Sequence, residues 1–479
     1  MIYSHKTEES DMTLAPKVAG PRPKDAETRI DGAWRPARLI PTTGMTGVDE
    51  QERRATSVLL AVMGAVPDFG RALLAKLDAP AGKIRTFTEI RFHTQDLKVA
   101  IPDGGIVVER GKTVWRCLVE VKTGNVPLRI EQVAGYIDLA RAHDVQAVLT
   151  ISNQITSSPS DLPIALDAKR LKKTVVRHLS WWQILTEAID QHRYRRISDP
   201  DQSWILGELI AYLDNEKSGA GGFDDMGDKW VAVRDGARAQ ALRAGDPGVQ
   251  DVTARWEQFV QYLALGLRQD LGRDVQPVWP KNVDPPARKD ATVKELVETG
   301  RLSASLRVPD AVAPIDVQVD LRARLVTTSI VVQAPKDGRP RTRIKWLLRQ
   351  LKNPPGQLRA EATFPLIKES TSQLVSAAQE NPDLLLWGRD PQREPRSFRV
   401  ALPHEMGAKR GKGPGSFVSD TKKQVADFYR EVVQQVKPWA AGAPKLPQPP
   451  DPGEPLASPR PPDFTAVEAR DPGEGLDPN

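Results

Sequence analysis

The chain has a single cysteine, Cys117, in 479 residues. That excludes an intramolecular disulfide and any cysteine-based zinc or iron–sulfur centre. The six histidines are scattered and nowhere take the spacing of metal ligands. No run of about eighteen apolar residues occurs, so no membrane-spanning helix is expected. The opening MIYSHKTEESDMTLAPK lacks a basic start followed by an apolar stretch and does not read as a secretory signal. A reducing, cytoplasmic setting is the expectation. The net charge of +6 is mild, and only its distribution can speak of partners.

What is present divides the chain into five stretches. Residues 1–45 are polar and proline-rich and are expected to form a flexible arm. Residues 46–200 alternate helix and strand patterns. Val48, Ala55, Leu59, Val62 and Val66 share a helical face, and a second helix, FGRALLAKL, follows. Strand-like segments at 84–92, 99–109 and 112–123 come next. A helix at 127–143, a strand at 145–152 and a strand running into a helix at TVVRHLSWWQILTEAI complete this part. That order predicts an α/β domain with a mixed sheet flanked by helices. Residues 201–250 read as helices joined by a Gly-rich loop. Residues 251–440 read as a separate α+β domain with net charge +9. The acidic, Pro-rich residues 441–479 are expected to be disordered.

The chemistry concentrates in VAIPDGGIVVERGKTVWRCLVEVKTG. An apolar strand ends in Glu120 and Lys122, and Asp103 lies in the strand before it. Buried, such charges are costly unless paired or bound to a metal. Residues two apart share a strand face, so Glu120 and Lys122 do. A hairpin closing at Arg110-Gly111 puts position 103 opposite 118, and Asp103 then lies diagonally from Glu120 on the same face. A loop of odd length turns Asp103 away. The even register is the expectation, with Gly111 supplying positive φ. Two converging carboxylates make a hard oxygen pocket suited to Mg²⁺ or Mn²⁺. A lysine beside them can act on a phosphate oxygen or a water. The plainer alternative is a solvated strand end with an exposed ion pair of little energetic weight.

Pro102-Asp103 followed by Glu120-Val121-Lys122 on adjacent strands resembles the PD-(D/E)XK nuclease superfamily. Gln132 and Tyr136, in QVAGY on the next helix, resemble the QxxxY motif of its RecB-like branch. The resemblance covers the N-terminal domain only and implies a restriction-endonuclease-like fold and a Mg²⁺- or Mn²⁺-dependent deoxyribonuclease. It implies Asp103, Glu120 and the Val121 backbone carbonyl as metal ligands, and Lys122 acting on water or phosphate with Gln132 and Tyr136 assisting. The family often adds a glutamate from its first helix. Measured from Val48, Glu52 falls at about 40° on the apolar stripe and Glu50 near 200°, facing away, so Glu52 is the candidate. Members with an iron–sulfur cluster need four cysteines, and this chain has one. DNA is the implied partner, in repair, restriction or defence against foreign DNA. The alternative is a catalytically silent nuclease fold serving as a stress-response or interaction scaffold.

In the C-terminal domain, KDGRPRTRIKWLLRQLK carries seven basic residues and one acidic. Arg339, Arg341, Arg343, Lys345 and Arg349 are candidates for backbone phosphate contacts. A solvated helix face beyond Ile344, Leu347, Leu348 and Leu351 explains the same pattern. This domain is also a candidate site for a protein partner or for homodimer contacts. The basic GAKRGKGPG segment misses the Walker spacing and reads as a mobile loop.

Overall fold

Sixteen residues at Glu50–Ala65 form helix α1, its first turn carrying Glu50 and Glu52 where the helix dipole favours acids. Pro67 opens α2 (Pro67–Ala75), where its missing N–H is harmless, and the chain bends by 108° between the two. The computed structural model describes residues 35–36, 50–93, 99–156, 160–167, 169–172, 174–411 and 413–441. The expected disordered tail from 442 onward lies outside them, as does most of the expected N-terminal arm. Within that arm, Arg35–Pro36 (β1) pairs with β2 (Lys83–Thr88), so the arm is not wholly free. Strand β2 would otherwise present an open edge.

The first sheet is mixed and runs β1-β2-β5-β6-β7-β8. Strands β2, β5 (Gly104–Arg110) and β6 (Thr113–Val121) pair antiparallel, while β7 (Ala147–Ser152) and β8 (Val175–Ser180) run parallel to β6. Helix α3 (Ile130–Ala142) makes the crossover from β6 to β7. The predicted strands 84–92 and 99–109 are each interrupted. Glu89 takes φ +50, and Pro102 lacks an N–H for a ladder. A short pair, β3 (Phe92–His93) with β4 (Val99–Ala100), branches off between the breaks. Helices α1, α2, α4 (Trp181–Ile189) and α5 (Pro200–Asp214) cover the face bearing Cys117, Val119 and Val121. Helix α3 covers the opposite face, with Val107, Leu118 and Val148.

The second sheet is antiparallel throughout, in the order β14-β13-β15-β12-β11-β10-β9. Its strands are β9 (Gln276–Pro277), β10 (Arg301–Arg307), β11 (Ile315–Asp320), β12 (Leu325–Gln333), β13 (Arg359–Thr363), β14 (Ser370–Leu374) and β15 (Ser397–Glu405). Alternation in β11, where Ile315, Val317 and Val319 are buried, gives one core face and one wetter face. The core is completed by α6 (Trp230–Arg238), α7 (Pro247–Leu271), α8 (Pro285–Thr299), α9 (Pro340–Leu348), α10 (Val375–Glu380) and α11 (Phe417–Glu431). The described residues up to Trp439 form one compact unit. Phe223, Met226 and Trp230 of the connector join the second core, and Trp182 packs against both.

Candidate functional site

The β5–β6 hairpin closes through Gly111-Lys112, with Arg110 paired to Thr113. Gly111 takes φ +59 at the first loop position, one residue later than a turn at Arg110-Gly111 would have it. Parity is unchanged, so Asp103 keeps its face. Gly104 pairs with Val119, and one step further the register brings Asp103 opposite Glu120, directly rather than diagonally. Asp103 sits just outside the ladder. Its carbonyl accepts from Glu89 N at 3.1 Å, and its Oδ2 accepts from Val121 N at 2.8 Å. That bond clips the aspartate across the end of β6.

Gly104 is needed for the helix above. A Cβ there would lie 2.4 Å from Leu60 Cδ1 and 3.0 Å from Phe87 O, so a larger residue would force the Leu60 side chain of α1 to move. Seated there, α1 brings Glu52 to the strand end. Lys122 Nζ lies 2.8 Å from Glu52 Oε1, 2.7 Å from Glu120 Oε1 and 3.1 Å from the Val121 carbonyl. Glu120 is 0% exposed. Its Oε1 meets the Lys122 ammonium at 2.7 Å, and Asp103 and the Tyr136 hydroxyl lie beside it.

Three carboxylates thus face one ammonium, and the titration behaviour reflects the deficit. Burial raises the Asp103 carboxyl well above the usual range, and Glu120 beside it adds to the rise. Burial likewise raises Glu120, against the pull of Lys122. Burial alone would lower the Lys122 ammonium, but Glu120, Glu52 and Asp103 more than reverse it and hold the group above the lysine range. Buried hard oxygen donors short of counter-charge suit a small divalent cation. Among the described residues, however, no three His, Cys, Asp or Glu side chains form a ready-made metal cage.

Gln132 and Tyr136 lie on one face of α3, Gln132 Nε2 donating to the tyrosine hydroxyl at 3.2 Å. That hydroxyl donates to Ile101 O at 3.3 Å, which ties α3 to the segment bearing Asp103. Burial and the Glu120 charge push the Tyr136 hydroxyl up.

Several supporting residues escaped the sequence reading. A capping box between Ser180 and Gln183 starts α4 sharply after β8. It sets Trp181, 1% exposed, so that Nε1 donates to the Lys122 carbonyl at 2.9 Å. Asn153 Nδ2 donates to Gly124 O at 2.8 Å and Gly219 O at 3.0 Å, fastening the Gly-rich loop over the ends of β6 and β7. The SGAGG run signalled that loop but not its position. Beyond it lies a cleft of about 450 Å³ lined by Asn125, Asn153, Asp225, Arg255 and Arg410, to which Asp103, Glu120 and Lys122 do not contribute.

The basic candidates divide. Arg343 is buried, donating to Gly338 O at 2.9 Å and Lys336 O at 2.8 Å and pairing with Glu394 at 2.8 Å, so it braces its own helix. Arg341 pairs with Asp383 at 3.1 Å. Arg339 and Arg349 are exposed and Lys345 half-buried. The described part of the 407–415 loop, expected to be mobile, is tied down. Gly415 N donates to Asp420 Oδ1 at 3.1 Å, and Arg410 pairs with Asp225 at 3.7 Å and with Asp228.

Compared with protein-family models, with curated proteins and with solved structures, the chain matches none.

Proposed function

We propose that the chain is a metal-dependent nuclease hydrolysing DNA phosphodiester bonds, its N-terminal half a restriction-endonuclease-like domain. The observation that carries this reading is the excess of carboxylates over ammonium at the end of two adjacent strands, held where water does not reach Glu120. Keeping that excess disfavours folding, and a scaffold has no use for it. Asp103, Glu120, Glu52 and the Val121 carbonyl would hold Mg²⁺ or Mn²⁺. When bound, such an ion polarises the phosphoryl group and lowers the pKa of water.

The chain's own residues do the rest. The Val121 N–H fixes one Asp103 oxygen and so holds the carboxyl beside Glu120. Lys122, its carbonyl held by Trp181, presents a point charge to a phosphate oxygen or to the attacking water. Tyr136 and Gln132 keep the Asp103 segment from drifting. Arg339, Lys345 and Arg349 offer sequence-independent phosphate contacts on the C-terminal half.

The test is cleavage of DNA by purified protein with Mg²⁺ or Mn²⁺. Lys122→Ala should lose about 10²- to 10³-fold in rate, by analogy with removing a preorganised donor from a transition state. Circular dichroism checks that it remains folded. A folded variant that cuts like its parent removes the assignment.

A further inference from the structure

The Lys122 ammonium sits among Glu52 Oε1, Glu120 Oε1 and the Val121 carbonyl, at 2.8, 2.7 and 3.1 Å. They belong to three of the groups that the preceding reading gives to a divalent cation. A cation drawn to those groups would lie close to the ammonium and repel it, so the two compete for the place. We propose that Lys122 is a built-in counter-cation, holding the metal's oxygens in the free protein and leaving them when the ion enters. This rests on the nuclease reading and adds the competition to it.

The proposal accounts for two observations together. No three His, Cys, Asp or Glu side chains form a metal cage among the described residues, and the Lys122 amine lies between Glu52 and Glu120. Yet that one amine is shared between Glu52 and Glu120, so their two charges are only partly offset. An ion able to take several oxygens at once suits them better. The lysine is 8% exposed and has a route out only by leaving these contacts.

Two measurements test this, both with Mn²⁺ as the probe. In the unaltered chain, acetic anhydride labelling of Lys122, read by mass spectrometry, should rise several-fold on adding Mn²⁺. A lysine that merely neighbours the ion would label at the same rate or more slowly. Free Mn²⁺ counted by electron paramagnetic resonance should show Lys122→Met binding at least tenfold more tightly than the parent. If Lys122→Met fails to fold, Glu52→Gln/Lys122→Met measured against Glu52→Gln provides the same comparison with balanced charge. Labelling that does not rise, or an affinity no tighter than the parent's, overturns the displacement while leaving the metal site standing. If the parent retains no more Mn²⁺ than Glu120→Gln does, the metal reading falls and takes this proposal with it.

Discussion

Two buried ionic clusters occupy the N-terminal half, and they are built on opposite principles. On α4 and the π-helical turn after it, Glu187 and Asp190 meet Lys76 and Arg268, with Glu187–Lys76 at 3.1 Å and Asp190–Arg268 at 3.1 Å. Each acid there has a base. Burial would raise the Glu187 carboxyl, but Lys76, Gln191 and Arg268 together hold it below the usual range. At the strand ends, Glu52, Asp103 and Glu120 share Lys122, and burial wins: Asp103 and Glu120 are raised. Counter-charges are supplied in one place and short in another that is about as buried, and the proposed metal site rests on that contrast.

The largest effect should come from breaking the balanced cluster. Arg268→Met takes from buried Asp190 its nearest base and leaves Glu187 with Lys76 alone, and should lower the unfolding free energy by about 4 kcal/mol, measured by urea titration. A loss under about 1 kcal/mol would mean the cluster is no better matched than the other one.

His178 sharpens the contrast, being buried with no ionic partner. Its Nε2 must donate to the Gln154 carbonyl at 2.8 Å, leaving Nδ1 to accept from the Thr150 hydroxyl at 3.0 Å. Burial lowers its pKa from 6.5 to about 4. The unfolded chain therefore takes up this proton first as pH falls. The stabilisation is full above about pH 6.5 and declines towards pH 4 by about 3 kcal/mol. His178→Gln should flatten that part of the stability profile, and an unchanged slope would place its origin elsewhere.

The smallest effect has the opposite sign. In chelator, Glu120→Gln removes an excess buried charge and should stabilise the fold by about 1 kcal/mol; with Mn²⁺ restored, the same variant should not cleave. Destabilisation as large as that of Arg268→Met would show the strand-end cluster to be a structural ion pair like its neighbour.

Much of this site could be read from the sequence because strand parity is insensitive to small errors. The turn moved by one residue, the pairing slid by two, and Asp103 stayed on the face of Glu120. Helical angle likewise sufficed to prefer Glu52, which reaches Lys122, over Glu50, which pairs with Arg54 on its own helix. What escaped depends on contacts between distant segments. Trp181 meets Lys122 across 59 positions, and Asn153 meets Gly219 across 66, with no periodicity to announce either. Charge counting over 336–352 fails differently, since it cannot tell an arginine turned outward from Arg343, spent on its own helix's approach. The break at Pro102 is visible in sequence, but the branch it creates depends on Glu89 adopting positive φ in the neighbouring strand.

Helix α4 has a further consequence. Its first residue holds the Lys122 carbonyl, and its far end grips Arg268 of α7 through Glu187 and Asp190. Nine residues span roughly 14 Å, so a single helix joins the charged strand end to α7, which packs on the C-terminal sheet. A tilt of α7 would therefore reach Lys122 as a tug on its backbone carbonyl.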